Sequence, residues 1–152
     1  MIKHVVEVTP TVSNAVAYTA NDQVGGLMTL TGAAPSRGAG TSLSSVVIVD
    51  NASQSAALDL YFFDASPTVA SVDNGAADVS DAEMADKCIG HVVVAAADYK
   101  ALAGNSTACV RNIDLSLKPN ASQDLYCIAV TRGTPTYTST TALALKFTFD
   151  WE

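Results

Sequence analysis

The residues best equipped for chemistry stand together in one stretch, SVDNGAADVSDAEMADK, from Ser71 to Lys87. It holds five carboxylates and a glycine in a chain whose charged residues make up only 15%. Clustered carboxylates can ligate a hard cation or share a catalytic proton. A calcium loop of the EF-hand type needs glycine sixth and glutamate twelfth. Counted from Asp73, Gly75 comes third and Glu83 eleventh, so that pattern fails. Ser80-x-x-Glu83 instead has the form of a capping box, in which the serine hydroxyl accepts from the glutamate N–H and the carboxylate reaches back to the serine N–H. Asp81 and Glu83 would fall in the first turn of a helix and Lys87 in its last, each where the helix dipole favours its sign. Gly90 follows as a stop. The stretch predicts a turn through Asp73-Asn74-Gly75, a short helix over residues 81–88 and then a strand.

The remaining candidates are isolated. His4 and His91 each lie in a strand pattern with no Cys or Glu at ligand spacing. Cys88, Cys109 and Cys127 are odd in number, widely spaced and without a C-x-x-C, which predicts free and mostly buried thiols. No G-x-S-x-G, phosphate loop or G-x-G-x-x-G occurs. The chain is therefore expected not to be an enzyme and to have no catalytic residue, no cofactor and no metal. Three strand patterns end in an apolar residue followed by aspartate, at Asp50, Asp64 and Asp150. Each aspartate can cap its own turn; the sharper reading gathers all three into a cation site at one end of a sandwich. The sequons at Asn51, Asn105 and Asn120 mark surface loops.

The elements that must carry these residues are strands. ALALKFTFDWE alternates Leu143, Leu145, Phe147, Phe149 and Trp151 with Ala144, Lys146, Thr148 and Asp150, the period of a strand with one buried face. NIDLSLKP repeats this, with Ile113, Leu115 and Leu117 inward, until Pro119 ends the ladder. SSVVIVDN and CIGHVVVAA are continuous apolar runs that read as strands covered on both faces. GGLMTLTG, LYCIAVTR, IKHVVEVTP and NAVAYTA bring the expected total to eight or nine strands. In ALDLYFFD, Leu58, Leu60 and Phe62 share one face, while Tyr61 and Phe63 share the other with Asp59. That second apolar face predicts either a covering loop or helix, or a subunit interface at Tyr61 and Phe63. The Thr31–Ser42 loop, with three glycines and a proline, is expected to be mobile or to order on a partner.

Many short strands separated by Gly, Asn, Asp, Ser and Pro point to an all-β fold. The prediction is an antiparallel, jelly-roll-like β-sandwich over 1–152 as one domain, with one short helix and an N-terminal segment that can be flexible. An immunoglobulin-like sandwich lacks the Cys…Trp…Cys spacing. A net charge of −7 with scattered basic residues disfavours direct nucleic-acid contact and an anionic membrane surface. MIKHVVEVTP lacks the apolar core of a secretory signal, which predicts folding in a reducing cytoplasm.

Three segments carry a family resemblance: LYFFDASPT, DNGAADVSDAEMADKCIGHV and LYCIAVTRGTPTYTST. They resemble small virion proteins of tailed bacteriophages, in particular capsid decoration or cement proteins of the head. The resemblance spans roughly Gly25 to the C-terminus. Its most specific pieces are the Phe63-Asp64…Pro67 corner, the Asp73-Asn74 turn with its acidic helix, and Arg132 to Tyr137. None is a catalytic motif. It implies a structural protein made in the host bacterial cytoplasm and located on the virion capsid surface. Its implied partner is the major capsid protein, bound by a homotrimer. The competing expectations are another virion component (neck, tail or head fibre) and a carbohydrate-binding β-sandwich module. The latter would need aromatic platforms, for which Trp151, Tyr18, Tyr99 and Tyr137 are the candidates.

Overall fold

The computed structural model describes residues 1–152. The alternating patterns become nine strands: β1 (Ile2–Val8), β2 (Gln23–Leu30), β3 (Thr41–Asp50), β4 (Leu58–Phe63), β5 (Cys88–Val94), β6 (Tyr99–Ala101), β7 (Ser106–Leu117), β8 (Leu125–Thr131) and β9 (Leu143–Trp151). One α-helix, α1 (Asp81–Lys87), and a 3-10 turn at Ala96–Asp98 are the only helical elements.

All strand pairs are antiparallel. One sheet has the order β1-β9-β3-β7-β6 and the other β2-β8-β4-β5. Four of the pairings are nested: β1 with β9, β2 with β8, β3 with β7, and β4 with β5. Winding up one long hairpin produces this nesting, because successive pairs of its two arms fall alternately into opposite sheets. The result is a jelly roll, with β6 added at one edge. The expected antiparallel β-sandwich is thus the fold of the chain.

The core lies where the inner faces meet. Leu58, Leu60 and Phe62 of β4 and Phe147 and Phe149 of β9 are fully buried there. Phe62 meets Phe147 edge-on across the two sheets, with ring centroids 5.9 Å apart. Each such side chain contributes about 1.5–3 kcal/mol by leaving water, which makes the alternation of β4 and β9 the main source of register.

Several expectations need correction. NAVAYTA is not a strand: Asn14 makes a single bridge to Tyr137, Ala15 has a left-handed φ of 61°, and only Tyr18 turns inward. β3 and β5 are not covered on both faces; Val47 and Val49 are half-buried and Val93 is exposed. Their unbroken apolar runs reflect β propensity as much as burial. Gly90 does not stop the helix, since Cys88 is already extended and Gly90 pairs with Phe62 inside β5. A Cβ there would approach Leu115 Cδ2 at 3.1 Å, so the glycine admits the leucine.

The Thr31–Ser42 loop is tied down. Gly32 N–H donates to Asp124, Ala34 N–H to the Gln123 carbonyl, Gly38 N–H to the Ser122 carbonyl, and Trp151 Nε1 to the Ala33 carbonyl. The N-terminal segment is paired with β9 from Ile2 onward.

Candidate functional site

The outward face of the four-stranded sheet is the part of the molecule with the most unusual covering. Tyr61 and Phe63 of β4 and Tyr126, Ile128 and Val130 of β8 point away from the main core. The connection between β4 and β5, Asp64 to Lys87, folds back across them. Val69 bridges Val79 in antiparallel fashion, and Val69, Ala77, Val79 and Met84 pack on Phe63, Ile128 and Val130. This is a second, smaller core outside the sandwich. Phe63 is fully buried in it and offers no surface to a subunit, which corrects the interface expected there. The covering segment, not a partner chain, meets the aromatic face. Tyr61 stays half-buried at the rim.

The acidic stretch builds this cover. Ser80 Oγ accepts from Glu83 N–H at 3.3 Å, as the capping box requires. The returning half of the box is absent: the Glu83 carboxylate instead accepts from Thr68 N–H at 3.2 Å and pairs with Lys87 Nζ at 2.7 Å. Those two contacts hold its carboxyl below the usual range, the Lys87 bond contributing most. Asp73 does more than shape a turn. Its carboxylate accepts from Ser13 Oγ (2.5 Å), Tyr18 OH (2.6 Å) and Gly25 N–H (2.7 Å), joining three distant segments. Asp64 N–H donates to the Lys87 carbonyl at 3.0 Å, closing the ends of the cover on each other. Burial, and next the charge of Asp86, raise the Asp64 carboxyl above its ordinary value.

Between cover and sheet lies a cleft of about 220 Å³. Ile128 and Val130 form its floor, Val79 and Met84 its wall, and Tyr61, Asn21 and Arg132 its mouth. Arg132 is held by three partners: Asp59 at 2.8 Å, Asn21 Oδ1 at 2.5 Å and Tyr61 OH at 3.1 Å. Asp59 neutralises its charge, so the mouth is polar but without an excess cation for an anion. No Ser, Thr, Cys, His or Lys lines the cleft, and Tyr61 OH is engaged by Arg132. The arrangement can receive an apolar group; it contains no nucleophile paired with a base.

The other candidates are dispersed. His4 stacks on Trp151 at 4.5 Å, and His91 is exposed beside Tyr61. Cys127 is buried, Cys88 half-buried and Cys109 exposed; all three are free, so only one thiol behaves as the expected buried hydrophobe. Asp50 caps its own turn, accepting from the N–H groups of Ala52, Gln54 and Ser55. Asp50 and Asp150 lie at opposite ends of the sandwich, because β3 and β9 run antiparallel with Asp50 opposite Leu143 and Asp150 opposite Ser42. A cation site uniting all three strand-end aspartates is therefore ruled out by the register. Tyr18, Tyr99 and Tyr137 are buried, and one face of Trp151 is taken by His4, so the four aromatics make no open platform for a sugar.

Asn21 and Met84 carry no local sequence signal for a site, and Arg132 figures in the sequence only as the start of the Arg132–Tyr137 segment of the resemblance. Their convergence depends on the pairing of β4 with β8 and on the path of the cover. No protein-family model, curated protein or solved structure matches this chain.

Proposed function

We propose that this chain is a structural virion protein of a tailed phage, binding the outer surface of the head and stabilising the capsid as a decoration protein. The observation that supports this reading is spatial. The three segments carrying the family resemblance are far apart in sequence, yet they meet in one unit. LYFFDASPT supplies the outer end of β4 and the start of the cover, DNGAADVSDAEMADKCIGHV supplies most of the rest of the cover, α1 and the first part of β5, and LYCIAVTR supplies β8. Together they form the second core and its cleft. An apolar-floored cleft whose lining holds one carboxylate, Asp78, and no nucleophile–base pair suits recognition of a protein surface better than turnover of a substrate. The partner is the major capsid protein, with an apolar side chain seated on Ile128 and Val130. This reading does not require the homotrimer that the resemblance implies.

A ligand that binds only the assembled shell shifts it away from disassembly by mass action. Purified protein mixed with heads lacking it should pellet with them saturably, at a fixed ratio to the major capsid protein, and raise their disruption temperature. Val79→Arg, which fills the cleft wall with charge, should weaken that binding while leaving the circular dichroism unchanged. Failure to bind heads, together with recovery of the protein at the neck or tail of native virions, would move the assignment to another virion component. Retention on a glycan column instead would favour a carbohydrate-binding module.

A further inference from the structure

We infer that β1 is a self-pairing edge: two copies of this chain join antiparallel along β1, about a two-fold axis at Val5, into one continuous sheet. The motive is an open edge with the wrong properties for solvent. β1 ends its sheet and pairs only with β9. No other backbone bond reaches residues 2–8. Its register runs unbroken from Ile2 to Val8, with no bulge and no proline to spoil a further strand. Natural edges are usually blunted by such devices or by charge; the charges on β1, Lys3 and Glu7, are opposite in sign and can pair with a second copy.

The ladder geometry leaves its bonding groups free. The carbonyls of Asp150 and Thr148 on β9 point toward β3, where Thr41 Oγ1 and Ser44 Oγ donate to them. By the alternation of an antiparallel ladder, their partners Lys3 and Val5 turn N–H and C=O away from β9. β1 and the residue before it also hold three of the seven exposed large hydrophobics of the chain: Met1 (80%), Ile2 (63%) and Val5 (51%).

Charge identifies the occupant as a second copy. Lys3, Val5 and Glu7 share the outward face, and the Lys3 and Glu7 side chains are 61% and 68% exposed. Antiparallel pairing centred on Val5 sets Lys3 opposite Glu7 of the other copy, twice by symmetry. It also sets Val5 against Val5 and the exposed Ile2 against Val8. On β9, Lys3 meets Asp150 at 2.7 Å and Glu7 meets Lys146 at 3.7 Å. Charges would therefore alternate in sign across four strands of the joined sheet, two from each copy. Any other two-fold register puts Lys3 and Glu7 out of direct opposition. Opposite charges directly across an antiparallel pair stabilise it, and like charges destabilise it. Such a contact is isologous and closes at two subunits.

The other edges fit less well. β6 has only three residues. β2 is occupied at its start by Asn74, Gly75 and Asp73 and is bulged. β5 has a register shift beside Gly90 and no charge pair to set a register. The inference does not rest on the virion reading.

Sedimentation equilibrium over a concentration series should show a species of twice the 15.7 kDa chain mass. Lys3→Glu and Glu7→Lys should each weaken dimerisation about tenfold, since each turns two attractive pairs into two repulsive ones. Mixing the two variants should restore it. The acid introduced at position 3 of one variant then faces the base introduced at position 7 of the other, and the native Glu7 and Lys3 still face each other. The rescue by mixing separates loss of contact from loss of fold, and far-ultraviolet circular dichroism of each variant alone checks the fold directly. A monomer at all concentrations, a trimer, or a dimer indifferent to both charge reversals would each overturn the inference.

Discussion

Asp73 and Ser80 lie seven residues apart in the same acidic stretch and act at very different strengths. Asp73 gathers Ser13, Tyr18 and Gly25 on one carboxylate, and the Tyr18 ring it anchors is almost fully buried. Asp73→Ala would leave the Gly25 N–H without a partner and the Tyr18 O–H without its acceptor, although the Tyr18 oxygen still accepts from Ser13 N–H, and should cost about 3 kcal/mol in a urea titration. Ser80 caps an exposed helix that buries none of its residues. Ser80→Ala should cost about 1 kcal/mol and leave head binding intact. Equal losses from the two substitutions would remove Asp73 from its joining role. The Ser80 cap, though not the reciprocal half of the box, was readable because a helix start is a local event. The role of Asp73 was not, because its partners come from segments 48 to 60 residues away.

At the scale of elements, the β4–β5 connection turns an outward sheet face into a second core. Alternation in ALDLYFFD showed that β4 has two apolar faces, but not what would cover the second. The structure assigns Phe63 to the chain's own interior. Phe63→Ala should therefore lower stability by about 3–5 kcal/mol in isolated protein. Tyr61→Phe, which loses only a hydroxyl bonded to Arg132, should change it by no more than about 1 kcal/mol. Denaturant midpoints at dilute concentration measure both. A Phe63→Ala variant with unchanged stability but a changed oligomeric mass would return Phe63 to an interface. Gly25 shows a similar dependence on neighbours: its φ is +74° and a Cβ would lie 2.7 Å from Pro10 Cβ, a constraint invisible in GGLMTLTG.

At the scale of the whole molecule, burial of three tyrosines links the fold to alkaline pH. Burial raises Tyr18, Tyr99 and Tyr137 well above their ordinary range, with the Asp73 hydrogen bond adding at Tyr18 and the Asp50 charge at Tyr99 and Tyr137. A group whose pKa is raised by folding holds its proton more tightly in the native state. The stability linked to it is intact below the unfolded value of about 10 and declines as pH rises through that value toward the folded one. Tyrosinate absorbance should thus report these three of the five tyrosines ionising only as the β-sheet dichroism is lost. Titration of all five with the dichroism unchanged would contradict the burial.

The alternating strands, their buried faces and the short helix follow from the sequence alone, because a period of two and a cap are set by neighbours along the chain; the strand expected at NAVAYTA and the doubly covered faces expected of β3 and β5 did not. The alternation of β9 and the Ser80 helix show this most directly. The jelly-roll class was also within reach, from the number and spacing of strands. β6 was not, being three residues whose place depends on β7. Nor was the exposed second face of β5, which depends on what the rest of the chain leaves uncovered. The cleft at Arg132, the burial of Phe63 and the separation of Asp50 from Asp150 were decided only by tertiary structure. Each depends on which strands pair and in which direction, and those contacts join residues too distant in sequence for any local pattern to record.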